Sequence, residues 1–150
     1  MPLVITLHLL SAVIWVGGMF FAYVALRPAA STLEPSVRLP LWSRTFGRFF
    51  PWVWGAIILL PATGYWMVFQ VFGGFSHLQL YINAMQGIGI VMILIFLHIF
   101  FAPYRRLKQA LAAKDFPEAG RRLGQIRQLI AVNMALGLVT IIIAAGGHAG

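Results

Sequence analysis

Residues 49–104 read FFPWVWGAIILLPATGYWMVFQVFGGFSHLQLYINAMQGIGIVMILIFLHIFFAPY, and none of them is charged. A membrane-spanning helix needs about 20 mostly apolar residues. This stretch can therefore cross a bilayer twice, turning near Gly73–Gln79. Working outward, residues 1–26 and 128–150 are uncharged too. Every one of the eleven basic and three acidic side chains falls in 27–48 or 105–127. Of the 150 residues, 61% are apolar and 9% charged, against about half and about a quarter in a soluble domain. The pattern predicts an all-α, integral membrane four-helix bundle in one transmembrane domain spanning 1–150. Its helices are expected at about 3–26, 49–72, 80–101 and 128–146. The first is read as a retained span rather than a signal peptide, because it lacks a basic leader and its apolar run is too long. With no cysteine, disulfide scaffolds and zinc–thiolate sites are excluded.

Charge sets the expected orientation. The first connection, 27–48, holds Arg27, Arg38, Arg44 and Arg48 against Glu34, and 102–127 holds seven basic residues against Asp115 and Glu118. Together they carry the whole net charge of +8. The positive-inside rule places both in the cytoplasm, with both termini on the outer, periplasmic side. Such charge reports topology and attracts anionic lipid headgroups. Nucleic-acid binding would need a basic soluble module, and there is none. Trp42, Trp66 and Tyr104 suit interfacial belts. Pro28, Pro35 and Pro40 are expected to break the first connection, and Ala110–Arg122 to form a short surface helix.

Polar residues within a span usually face the bundle interior. On the first helix His8, Ser11, Trp15, Gly18 and Ala22 recur at helical spacing and form one stripe. Asn133, Gly137, Thr140, Ala144 and His148 do the same on the fourth. Gln79, Asn83, Gln86 and Gly87 line one side of the third. Asn83, Gln86 and Asn133 are the amides expected near a polar ligand, or else as packing groups. Pro61 should kink the second helix by leaving the carbonyl of Ile57 without its donor.

No carboxylate lies in any span, so histidine is the strong metal ligand on offer. There are four: His8, His77, His98 and His148. His8, His77 and His148 fall on the outer side, with Met1, Met67 and Met85 at similar depth as soft ligands. His98 lies toward the cytoplasmic end, near Met19. A rise of about 1.5 Å per residue separates His8 from His98 by about 20 Å along the membrane normal. The two are not expected to share one metal, whose bonds to nitrogen are about 2 Å.

His8, Trp15, Gly17 and Gly18 form a run H-x6-W-x-G-G. Arg48-Phe49 then enters a helix bearing Thr63-Gly64, and Arg105-Arg106-Leu107 leaves the third. This order resembles the copper-resistance protein D (CopD) family of four-helix membrane domains. It is also similar to the HemJ-type protoporphyrinogen oxidases, which are haem proteins. The resemblance implies a module of the bacterial inner (plasma) membrane that handles copper or haem b, with His8 as the haem or metal ligand and Trp15 and Gly18 as packing motif. The chain departs from the oxidases at Gln79, where they carry a lysine, and at Val24, near their arginine.

The leading expectation is a haem b redox protein with His8 as axial ligand. His148, His77 or a methionine would complete the coordination, and Trp15, Trp52 and Trp54 would pack on the porphyrin. A membrane oxidoreductase activity with a quinone or a membrane redox protein as partner is compatible with it. A copper transport or resistance protein using His8, His77, His98 and methionines is the alternative. A cofactor-free structural or assembly subunit is the third, and a homo-oligomer is compatible with each reading.

Overall fold

The computed structural model describes residues 2–71 and 80–149; of residues 71, 80, 81 and 147–149 only the helical backbone is described. Helix α1 (Pro2–Phe20) runs on through a π-helical segment, Phe21–Leu26, and a last α turn, Arg27–Ala30. Helix α2 spans Pro35–Val71, α3 Leu80–Phe101, α4 Pro103–Ala112 and α5 Phe116–Ala149. Four stretches, Pro2–Ala30, Pro35–Gln70, Ile82–Ala112 and Phe116–Gly146, are long and apolar enough to cross a membrane. Their outer faces are apolar: Ile142 is 70% exposed and Ile58 65%. Such side chains left uncovered belong against lipid, and the protein is an integral membrane protein.

The four helices cover the stretches read as spans, and two of them begin well before those stretches. α2 starts at Pro35 and takes in most of the first basic connection; α5 starts at Phe116 and takes in half of the other. Pro35 sits at the first helical position, where its missing N–H costs nothing. Pro40, Pro51 and Pro61 lie inside α2. The surface helix falls at Pro103–Ala112 rather than 110–122. It ends in a Schellman motif, with Asp115 N donating to Ala110 O at 2.8 Å and Lys114 N to Leu111 O at 3.0 Å. Lys114 occupies the left-handed position at φ 56°, a place glycine usually takes. The Asp115 carboxylate then caps α5 by accepting from Glu118 N at 3.3 Å.

α1 packs antiparallel along α2, since His8 meets Thr63 while Gly18 meets Phe49. α3 and the amphipathic α4 both pack along α5. The stripe on α1 faces inward, with Ser11, Trp15 and Ala22 buried. The stripe on α5 meets it at the centre: a Cβ on Gly137 would lie 2.7 Å from Val16 Cγ2 and 3.2 Å from Met92 Cε. Gly18 is equally confined, by the Phe49 ring. Toward the charged end, aromatic rings bridge α2 to α3 and α4. Phe46 stacks on Phe50 at 5.0 Å, Phe50 meets Tyr104 at 4.9 Å, and Trp54 meets Phe96 at 5.5 Å and Phe100 at 5.3 Å.

Gly137→Leu is expected to force α1 from α5 and lose about 2 kcal/mol, the usual scale of overpacking. Gly89→Leu, where nothing lies within 4 Å of an added Cβ, should leave stability near wild type. Unfolding of both variants in mixed detergent micelles checks the contrast; equal loss in the two would refute the close approach.

Candidate functional site

His8 lies two turns into α1, half-buried against the part of α2 that follows Pro61. Its Nδ1 is 2.8 Å from Thr63 Oγ1. The Thr63 hydroxyl has one proton, and it donates at 2.5 Å to the carbonyl of Leu59, one turn back. The oxygen of Thr63 is therefore left as acceptor, and the proton between the two residues belongs to His8 Nδ1. A neutral imidazole that donates from Nδ1 carries its free lone pair on Nε2. This is the arrangement found where an outer hydrogen bond fixes a metal-ligating histidine.

The local sequence explains the cradle. Pro61 removes the donor to Ile57 and loosens the helix ladder at this level. Back-bonding by Thr63 to the carbonyl four residues earlier bends such a helix further. Gly64 faces the same ring, where an added Cβ would lie in ordinary contact at 3.4 Å from His8 Cε1. Met67 is one turn farther along α2 from Thr63, on the same side of the helix.

The other candidates are dispersed. Trp15 is buried about two turns below His8, and Gly18 one turn farther, against Phe49. Asn133 is fully buried and its Nδ2 donates to Met92 O at 3.1 Å. Its Oδ1 has no hydrogen-bond partner among the described residues. Asn83 is exposed and Gln86 half-buried, and Met92 lies about 9 Å beyond Gln86 along α3. The three amides are thus not gathered: α3 turns Ile82, Met92, Phe96 and Ile99 inward instead.

His98 is exposed near the far end of α3, at the level of Trp54. Trp54 and Thr63 are about 13 Å apart along α2, so His98 and His8 belong to different halves of the bundle. Trp52 is exposed, and the clustered aromatics lie in the half of His98. His77 and the side chain of His148 lie outside the described residues. Among the described residues no three His, Cys, Asp or Glu groups come together.

A family model for copper resistance protein D matches residues 43–146. The chain belongs to the copper resistance protein D family. The match takes in Thr63 and Gly64 but begins beyond α1, so His8 enters through its contact with matched residues. No curated protein and no solved structure matches the chain. The Thr63 hydroxyl as the partner that fixes the His8 ring escaped the sequence reading of this CopD-family chain. The signal available was its place two residues after Pro61, opposite His8 in an antiparallel pair.

The tautomer is directly measurable. In protein labelled with 15N-histidine, His8 should show a protonated Nδ1 and an unprotonated Nε2. Thr63→Val should return the ring to a tautomer mixture. A wild-type ring protonated at Nε2 would refute the assignment.

Proposed function

We propose that this CopD-family protein is a membrane redox protein that binds haem b through His8. The observation behind the reading is the single imidazole whose Nδ1 is engaged by Thr63 and whose Nε2 is free to ligate. A haem brings four porphyrin nitrogens and asks the protein for one or two axial donors. A bare transition-metal ion asks for several protein ligands in a set geometry. One oriented imidazole fits the first demand better.

In this reading His8 would hold the haem iron through Nε2, and Thr63 would hold the ring in its ligating tautomer. His77 or His148 remains the proposed second donor, and the partner a quinone or a membrane redox protein. A bound haem b would supply one-electron transfer. The chain's own contribution is to orient the donor and to keep water from it with the apolar helix faces. The orientation expected from the positive charges puts His8 in the outer half of a bacterial inner membrane.

Copper is the second reading, favoured by the family's description and by Met67 one turn from Thr63. There His8 Nε2 and soft thioethers would take Cu(I) as cargo.

An absorption spectrum of the purified protein in detergent, as isolated and after dithionite, separates the two. Haem b predicts a Soret band with sharp α and β bands on reduction. His8→Ala should abolish them, and Thr63→Val should weaken haem retention about 10- to 100-fold, the usual cost of losing such an outer hydrogen bond. Colourless wild-type protein that takes up no added haemin overturns the haem reading. Cu(I) competition against a chelator, lowered by His8→Ala and by Met67→Ala, would then establish copper.

A further inference from the structure

At the charged end of the bundle, away from His8, a cavity of about 240 Å³ opens between α1, α2 and α5. Three arginines from three separate segments line it: Arg27, Arg38 and Arg127. No carboxylate does. Glu118 is taken by Arg121 at 3.1 Å and Arg122 at 2.6 Å, and Asp115 caps α5. Arg38 and Arg127 have no ion-pair partner among the described residues. Arg27 is positioned, with Nε donating to Tyr23 O at 3.2 Å and its guanidinium 4.6 Å over the Tyr23 ring. Three cations about one hollow repel one another unless an anion joins them.

The walls below the arginines are apolar. Leu39, Trp42, Phe46 and Ile130 are all buried there. The α5 wall is bare backbone at Gly120 and Gly124, where an added Cβ would meet nothing within 4 Å. The α1 wall is the π-helical segment, through Ala22 and Tyr23. π segments inside α-helices recur at functional sites. A volume of about 240 Å³ is small for a drug-sized ligand and suits a phosphate with a few carbons attached. A cationic mouth over an apolar wall, at the end of membrane-spanning helices, matches a phosphodiester whose acyl chains continue into the bilayer.

We propose that this cavity is a binding site for the phosphate headgroup of an anionic phospholipid, held by Arg27, Arg38 and Arg127, with the start of its acyl chains against Trp42. The site is independent of the metal ligand: it uses other residues in the other half of the bundle.

Native mass spectrometry of the detergent-purified protein tests it, with phosphatidylglycerol and phosphatidylcholine titrated separately. Wild type should retain one phosphatidylglycerol under conditions that strip phosphatidylcholine. The Arg38→Gln/Arg127→Gln variant should need on the order of 30-fold more phosphatidylglycerol, from the loss of two surface cations. Arg105→Gln/Arg106→Gln removes the same charge outside the cavity and should stay close to wild type. Gly124→Phe keeps every arginine, fills the hollow, and should abolish the retained lipid while leaving the helical circular dichroism intact. Equal retention of the two lipids, or equal loss in the two double-arginine variants, overturns the site. Displacement of the lipid by millimolar inorganic phosphate overturns the lipid as occupant in favour of the free anion.

Discussion

Inside hydrocarbon a backbone N–H or C=O without a partner is costly, and α2 carries three prolines within its length. Each proline withholds one donor from the ladder, so the carbonyls of Ser36, Gly47 and Ile57 lose their usual partners. The first two lie toward the basic end, where water and headgroups can serve them. Only Ile57 is freed deep in an uncharged segment. There the helix carries Thr63, whose hydroxyl bonds back to Leu59 and receives His8. The break in the ladder and the one well-oriented imidazole of the described structure thus occupy the same two turns.

The bundle divides along its axis. The uncharged half contains the hydrogen-bonded pair of His8 and Thr63, and near the centre Asn133 donates to Met92 O. The charged half contains the aromatic ladder from Trp42 through Phe46, Phe50 and Tyr104, with cations around it. Lys108 sits 4.6 Å over the Tyr104 ring and Arg27 4.6 Å over Tyr23. Cations near the bilayer edge keep water or headgroups as partners, and rings there tolerate a polar neighbour on their face. The small residues Gly18 and Gly137 hold the halves together by letting α1 approach α2 and α5 where no polar group is available.

Much of this was legible from charge alone. Uncharged runs of known length leave a chain little choice but membrane-spanning helices, and the stripes on the first and last spans followed from spacing. The stripe on the third misled, because Asn83 and Gly87 look like an inward line while the burial of Ile82, Met92, Phe96 and Ile99 is fixed by where α5 lies. The start of α2 was hidden by Pro35 and Pro40, which read as breakers although one opens the helix and the other is carried within it. The arginine cavity was invisible for a different reason. Arg27, Arg38 and Arg127 are far apart in sequence, and each was already accounted for by topology. Only the fold shows that they face one hollow.

The separation of the two sites follows from the cost of burying charge. An imidazole can sit among apolar side chains once a hydrogen bond satisfies its ring N–H, as Thr63 does for His8. Thr63 adds the choice of tautomer, which burial alone cannot make. A cluster of guanidinium groups has the opposite requirement, since arginine stays protonated and must stay near water or an anion. Neither site could occupy the other's place: the arginines would be stranded at the level of Pro61, and His8 at the charged edge would exchange Thr63 for water. The same uneven distribution of charge that sends this chain into a membrane therefore leaves the hydrogen-bonded imidazole at one end of the bundle and the arginines of the cavity at the other.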